Sequence, residues 1–310
     1  MDSMALPEIR AAAPPGILLP DPETLFAARR ARFAALAPGH PLGDWLACLG
    51  HLTQIQHDLL QTFGAALREA ARSAETAAPP LDAAEFPRPA AWREITRRLA
   101  REFMAASPEA MRERLTALQT TPDETLEVMA AALLDGRPAA HALPEHVIVG
   151  AGLQVVWTAL AARLDANRLG PLAERGGRGG KGERNEKDSC PCCGSAPVGS
   201  VVGTSAQIDN LRYLHCSLCN TEWNLPRAVC AACASDEAVS YRHIAQCGDA
   251  VRAECCDRCR SYLKVMMREK APDIDPVADD LASLALDVLL DEAGYARSGP
   301  NLLLLCAPAR

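Results

Sequence analysis

The cysteines of this chain are the residues whose type and spacing could carry chemistry. Of the 13 cysteines among 310 residues, eight form four Cys-x-x-Cys pairs. Two residues between thiolates let a tight turn aim both sulfurs at one metal ion, and two such turns complete a tetrahedral set of four thiolates. Two metal ions per chain are therefore predicted, and iron and zinc both accept this ligand set. The predicted metal ligands are Cys190, Cys193, Cys216, Cys219, Cys230, Cys233, Cys256 and Cys259.

The four pairs form an internal repeat. The second two pairs lie 40 residues after the first two, and a duplicated metal ribbon is the simplest explanation of that offset. The repeat favours pairing in sequence order, so that each half of it holds one ion. A nested arrangement ranks second because its loops would differ in length. Residues 190–194 (Cys-Pro-Cys-Cys-Gly) have the form of a rubredoxin or zinc-ribbon knuckle, in which Pro fixes the turn and Gly allows positive φ.

Three kinds of chemistry are open to such sites. An ion that only holds small sheets together is favoured, because thiolates fill all four positions and none is left for water or substrate. A one-electron iron shuttle, as in rubredoxin, is an alternative. A thioredoxin-like dithiol is disfavoured because no βαβ pattern surrounds any pair. The sequence predicts no catalytic residue.

Three further cysteines and two histidines lie among the pairs. Cys192 and Cys255 each adjoin a predicted ligand and could compete for its ion, but only the predicted ligands keep the two-residue gap. Cys247 is expected to be either a buried free thiol or an oxidation-sensitive one. His215 and His243 lie on strand-like segments, where exposed positions are favoured over roles as metal ligands or as hydrogen-bond donors to the ligands.

The chain has helical periodicity before a linker, and strand-like segments between the cysteine pairs after it. Together these elements predict an α+β fold. Residues 1–173 carry helical periodicity, with Pro or small polar capping residues before several helices. Residues 174–188 have no apolar side chain and are predicted to be a flexible linker. Two tandem rubredoxin-like or zinc-ribbon modules follow at 189–228 and 229–270, and 271–310 form a C-terminal helix and tail. Helices are predicted near residues 22–37, 42–67, 90–106, 108–119, 123–135 and 144–168, and strands near 198–203, 211–215 and 238–243.

The C-terminal helix is predicted from its capping residues and its apolar spacing. Asp275 is the natural N-cap, and Pro276 takes the first helical position. Asp275, Asp279 and Asp280 are assigned to capping and to the helix dipole rather than to a cation site. The leucine run 302–305 is expected either to pack back on the body or to form a partner surface. The predicted apolar side of the helix comprises Val277, Leu281, Leu284 and Val288.

The charge balance disfavours nucleic acid and membranes as partners. The formal net charge is −7, and nine Lys/Arg stand against eight Asp/Glu between residues 190 and 270. Four thiolates on a divalent ion add about −2 per site, and the resulting acidic ribbons are poor at neutralising phosphates. The longest uncharged run, 146–162, has 17 residues and is a little short for a membrane span. Because residues 1–30 lack the pattern of a leader and the clustered cysteines suit a reducing compartment, a cytoplasmic protein is expected.

Four segments of the C-terminal part carry a family resemblance. They are residues 190–195 (CPCCGS), 211–223 (LRYLHCSLCNTEW), 261–264 (SYLK) and 275–284 (DPVADDLASL). In these segments the chain resembles the formate dehydrogenase accessory protein family, FdhE. The resemblance implies a cytoplasmic, non-catalytic factor that is needed for active formate dehydrogenase and binds its catalytic subunit during maturation. It also implies rubredoxin-like metal sites, with the eight paired cysteines as ligands.

The predicted function is therefore an accessory factor whose partner is the formate dehydrogenase catalytic subunit, with no nucleic acid and no membrane insertion. Two alternatives come from other classes of protein. A zinc-ribbon nucleic-acid regulator would bind DNA with a steep salt dependence. A rubredoxin-like electron-transfer protein would hold iron and change colour reversibly on reduction.

Overall fold

The helical periodicity before residue 170 corresponds to six α-helices in the described part of the chain. The predicted linker, 174–188, and Cys306 lie outside that part. The computed structural model describes residues 15–70, 79–137, 143–169, 189–203 and 211–304. The helices are α1 (Leu25–Leu36), α2 (Gly43–Ala70), α3 (Ala91–Phe103), α4 (Glu109–Thr120), α5 (Asp123–Leu134) and α6 (Leu143–Ala161).

Helix α6 is the centre of the helical domain. Its residues 146–161 are all buried, and a Cβ on Gly152 would lie only 2.5 Å from Oγ1 of Thr96 on α3. The uncharged run is therefore a buried helix, and no helix among the described residues is both long and apolar enough to cross a membrane. The helix ends at Ala161 rather than near residue 168, and a separate 3₁₀ turn follows at Ala166–Arg168, capped by the Asp165 side chain.

The cysteine-rich part folds into one mixed sheet, which confirms the predicted α+β class. The strand order is β1-β4-β3-β2-β7-β6-β5, with β8 beside β7. The two ribbons join edge to edge because β2 runs parallel to β7, and β1 adds to the outer strand of the first ribbon. The sequence predicted the positions of β2, β3 and β5 but not the other strands. The strands are β1 (Ile17–Leu18), β2 (Pro197–Gly203), β3 (Leu211–Cys216), β4 (Glu222–Asn224), β5 (Val239–Arg242), β6 (Val251–Cys256), β7 (Ser261–Met267) and β8 (Ala296–Arg297).

A buried ion pair ties the two ribbons together. Arg212 on β3 lies 2.8 Å from Glu254 on β6, and both side chains are almost completely buried. The Arg212 guanidinium also donates to the carbonyl of Val229 at 2.9 Å. Separating the ribbons would leave these charges without partners in an apolar environment, which is strongly unfavourable. The two ribbons therefore form one structural unit rather than two independent modules.

The predicted C-terminal helix is divided into two. Ser283 has φ −112° and ψ 30°, which breaks the helical path. The break resets the helical phase, so the predicted apolar side is wrong beyond Leu281. Val288 is 59% exposed, while Leu286 and Leu290 are buried instead. The two helices are α7 (Ala278–Ala282) and α8 (Leu284–Glu292).

The acids around α7 form ion pairs as well as caps. Asp275 Oδ1 accepts hydrogen bonds from the N–H groups of residues 277 and 278, as predicted for an N-cap. Its carboxylate also lies 3.0 Å from the buried guanidinium of Arg29 on α1. The Asp279 carboxylate pairs with the guanidinium of Arg32, which also lies on α1, at 2.6 Å. The assignment of these acids to capping alone was therefore incomplete, because they also fasten the C-terminal segment to the N-terminal helix.

Asp280 is the most enclosed of these acids. Its side chain is fully buried and lies 3.2 Å from the Lys264 ammonium on β7 and 2.8 Å from the Arg297 guanidinium on β8. Asn301 donates a further hydrogen bond at 2.8 Å. Burial opposes ionisation, but the charges of Lys264 and Arg297 hold the pKa of Asp280 at about 2. The carboxylate thus joins α7, the second ribbon and the C-terminal tail.

The described leucines near the C-terminus pack back on the body. Leu302 and Leu303 are both buried. A Cβ on Gly150 of α6 would lie 2.8 Å from the Leu302 carbonyl oxygen. This close approach places the described part of the tail, which ends at residue 304, on the central helix of the helical domain.

Candidate metal centres

The structure brings the cysteines of the first repeat together in sequence order. Their four Sγ atoms all lie within 4.8 Å of one another, and all four residues are buried. The Sγ–Sγ distance is 3.4 Å both between Cys190 and Cys219 and between Cys193 and Cys216. Tetrahedral thiolates about 2.3 Å from an ion would be about 3.8 Å apart. The group therefore needs only a small expansion to accept a metal ion.

The second repeat has the same grouping but a different exposure. Cys230 and Cys259 have their sulfurs 3.7 Å apart, as do Cys233 and Cys256. These distances match a tetrahedral four-thiolate site. Cys233 is half-buried and Cys259 is exposed. The second group therefore lies at the protein surface.

The four turns that carry the cysteines share one backbone conformation. The residue after the second cysteine of each pair has positive φ, between 55° and 74°. N–H groups of the turns point at sulfur, as from Leu218 to Cys216 at 3.4 Å, which would stabilise a thiolate. The sequence indicated this conformation only where the residue is glycine. The positive-φ residues are Gly194, Asn220, Ala234 and Arg260.

Helix α6 covers the first group from one side. Gln154 donates a hydrogen bond to the carbonyl of Ser217 at 2.8 Å, inside the turn between two of the cysteines. One turn further along α6, Thr158 accepts a hydrogen bond from the Asn220 amide at 2.9 Å. Gln154 and Thr158 lie on a helix that the sequence predicts, but nothing in the sequence indicates that they contact the turns of the cysteine pairs.

The loop before α3 covers the same group from another side. The N–H of Leu81 donates to the Cys192 carbonyl, and the N–H of Ala83 donates to the Cys193 carbonyl, both at 2.9 Å. Trp157 of α6 holds this loop by donating to the Leu81 carbonyl at 3.0 Å. The helical domain and the first ribbon therefore form one enclosed site.

His215 occupies a buried position, which corrects the expectation that it is exposed. It is only 3% exposed, on a strand that has neighbours on both sides. Its Nε2 lies 3.1 Å from Asn220 Oδ1, and its Nδ1 lies 3.2 Å from Glu222. Asn220 also accepts a hydrogen bond from buried Arg29 at 2.9 Å. His243 is exposed, as predicted.

The second group has no comparable cover among the described residues. Residues 257–260, which correspond to 217–220 in the 40-residue repeat, are all exposed. Arg260 lies against the Tyr295 ring at 3.9 Å, on the side towards α8. Partial burial raises the pKa of the Cys259 thiol, but hydrogen bonds from Ser261 outweigh this effect and lower that pKa to about 7.

The remaining described cysteines lie outside both groups. Cys192 is buried beside the first group, and its sulfur accepts a hydrogen bond from Thr221 at 3.3 Å. Burial raises the pKa of both Cys48 and Cys255 to about 11, so these thiols are protonated at neutral pH. Cys247 is exposed, which favours an oxidation-sensitive thiol over a buried one.

The fold and the two four-cysteine groups define a helical domain joined to a duplicated ribbon sheet. Three family models match this arrangement: FdhE N-terminal at residues 14–174, FdhE central domain at 189–227 and FdhE C-terminal domain at 229–304. The chain belongs to the FdhE family of formate dehydrogenase accessory proteins.

Individual relatives match nearly the whole chain. A protein from Actinobacillus pleuropneumoniae serotype 3 named "Protein FdhE homolog" is 35% identical over 94% of this chain and 92% of its own length. A protein of the same name from Stutzerimonas stutzeri is 36% identical over 96% and 94%. The crystal structure of the FdhE protein from Pseudomonas aeruginosa superposes with a TM-score of 0.73 at 31% identity, and the match covers 94% of this chain and 99% of that one.

Proposed function

We propose that the chain is a non-catalytic assembly factor that binds the catalytic subunit of formate dehydrogenase in the cytoplasm during maturation. Membership of the FdhE family supports the role in formate dehydrogenase formation. The observation that carries the binding proposal is the contrast between the two four-cysteine groups. One group is buried and contacts the chain's own helix α6, whereas its repeat equivalent has one half-buried and one exposed cysteine.

Each four-cysteine group holds one ion, iron or zinc, in this proposal, with all eight paired cysteines as ligands. The sulfur spacing and the turn N–H groups that point at sulfur support it. When bound, such an ion cross-links the two turns of its ribbon. Because thiolates occupy all four positions, no coordination site is left for a substrate, which supports a role without catalysis.

The open second group supplies the docking surface. Its exposed residues 257–260 correspond to residues 217–220 of the first group, whose carbonyl and amide groups are bound by α6. The exposed turn includes the charged side chains of Asp257, Arg258 and Arg260. A surface of this kind suits a protein partner that associates and later leaves. Nucleic acid and membrane have no part in the proposal.

The test is co-purification of the full-length chain with the formate dehydrogenase catalytic subunit. Cys259→Ser removes the exposed sulfur of the second group and is expected to reduce the captured subunit at least tenfold. Cys247→Ser is the matched control, because it alters an exposed thiol outside both groups. Metal content is measured on the same samples, so that loss of the ion and loss of the partner are recorded separately. Equal capture by Cys259→Ser and wild type would refute docking at the second group.

Rubredoxin-like electron transfer is the second candidate function. The exposure of Cys259 favours it, because a surface sulfur shortens the path for an electron to a partner. This function requires iron, since zinc has no redox chemistry. Anaerobic purification followed by metal analysis distinguishes the two ions. A colourless protein with two zinc ions would eliminate electron transfer.

A further inference from the structure

Two hydroxyl groups occupy equivalent positions in the repeat, and each contacts a paired cysteine. Thr221 Oγ1 lies 3.2 Å from the sulfur of Cys219. Ser261, 40 residues later, has its Oγ 2.9 Å from the sulfur of Cys259. The same contact thus recurs in two sites that differ in burial and in neighbouring helices, which argues against coincidence.

We propose that Thr221 and Ser261 retain the two metal ions by donating hydrogen bonds to the ligating sulfurs of Cys219 and Cys259. This inference rests on the proposed occupation of both groups by metal. A sulfur bound to an ion has lost its proton and can only accept a hydrogen bond, so each hydroxyl must then act as the donor. Hydrogen bonds to the ligands of a metal orient those ligands and tune the site.

Cys192 provides a second sulfur beside Thr221 in the first site. Thr221 Oγ1 lies 3.3 Å from the Cys192 sulfur as well as 3.2 Å from that of Cys219. Once Cys219 is bound to metal, Thr221 donates to its sulfur, and the Thr221 oxygen then accepts from the Cys192 thiol in place of the Thr221-to-Cys192 hydrogen bond that the structure shows. Cys192 is completely buried, so water cannot take its place. This assigns a positioning role to a thiol that is not itself a ligand.

The chain contains its own controls for this inference. A hydroxyl residue stands two positions after the second cysteine of every pair, and the other two are Ser195 and Ser235. Each of these accepts a hydrogen bond through its backbone carbonyl from the first cysteine of its pair. Replacement by alanine keeps that backbone contact. Ser195→Ala and Ser235→Ala therefore test for non-specific effects of removing a hydroxyl near the sites.

The experiment measures the rate at which full-length protein loaded with Co²⁺ releases the ion to a chelator, followed by sulfur-to-cobalt absorption. Thr221→Val and Ser261→Ala are each expected to accelerate release from their own site by about 10- to 100-fold. Thr221→Ser keeps the hydroxyl and should release at the wild-type rate. Cys192→Ala should accelerate release from the first site only. Where iron is bound, loss of either hydroxyl should also lower the reduction potential of that site, because hydrogen bonds to sulfur favour the more negative reduced form.

The possible outcomes separate this inference from the proposal on which it rests. Wild-type protein that takes up no Co²⁺ would refute metal binding itself. Wild-type protein that binds two ions, with release rates unchanged in both Thr221→Val and Ser261→Ala, would overturn the role of the hydroxyls alone. Acceleration of the same size in Ser195→Ala and Ser235→Ala would overturn it as well. Because Ser261 lies at the surface-exposed site, Ser261→Ala remains informative even if a change at buried Thr221 prevents folding.

Discussion

Replacing Asp280 by asparagine is expected to destabilise the protein strongly at neutral pH. Asp280 is fully buried and faces two cations, the buried Lys264 at 3.2 Å and the half-buried Arg297 at 2.8 Å. Removing one member of a buried ion pair costs about 3–5 kcal/mol, because the other charge stays buried without compensation. Asp287 also contacts both cations, at 2.5 and 2.7 Å, and should keep the cost near the lower limit. We therefore expect about 3 kcal/mol, a large part of the roughly 5–15 kcal/mol that stabilises a folded domain.

The assay is urea unfolding of the metal-loaded full-length chain, followed by circular dichroism. Glu102→Gln is the control, because Glu102 pairs with Arg98 on the exposed face of α3 at 3.0 Å. An exposed pair of this kind contributes at most about 0.5 kcal/mol. A free energy of unfolding for Asp280→Asn within about 0.5 kcal/mol of wild type would refute the reasoning that this carboxylate joins three elements.

Three further predictions concern acid, packing and metal release. Because Lys264 and Arg297 overcome the effect of burial and lower the pKa of Asp280 from 3.8 to about 2, its ionisation contributes stability that is fully present above about pH 4 and lost towards pH 2. Urea titrations across that range should therefore show the difference between Asp280→Asn and wild type shrinking by about 2 kcal/mol. Gly152→Ala would place a Cβ 2.5 Å from Thr96 and should lower stability by about 1–3 kcal/mol in urea unfolding, whereas Gly16→Ala, which has open space, should not. Chelator should remove the ion of the second group first, since Cys259 is exposed and the first group is buried; simultaneous release would contradict this order.

Local spacing in the sequence was enough to predict the positions of the six helices before residue 170 and the grouping of the cysteines. Apolar residues at three- and four-residue intervals identified the helices, and the 40-residue offset identified which pairs belong together. Both signals depend on residues close in sequence or on an exact repeat. The ligand role of the eight cysteines stays a prediction.

Contacts between distant elements could not be predicted in the same way. The parallel pairing of β2 with β7 joins the two ribbons. Nothing in the sequence of either strand indicates which strand lies beside it. His215 was expected to be exposed on a strand-like segment, whereas it is buried in the larger sheet and contacts Asn220. At the helix break, the hydroxyl and the carbonyl of Ser283 both accept hydrogen bonds from the Lys264 ammonium, which lies 19 residues away in the chain.

Genetic complementation tests the central claim most directly. The full-length chain is expressed in a bacterium that lacks its own family member, and formate dehydrogenase activity is measured in cell extracts. The account predicts that the wild-type chain restores activity, that Cys247→Ser does so equally, and that Cys259→Ser does not. Restoration by Cys259→Ser to the wild-type level, or full formate dehydrogenase activity in the deletion strain alone, would contradict a role in formate dehydrogenase formation that depends on the second four-cysteine group.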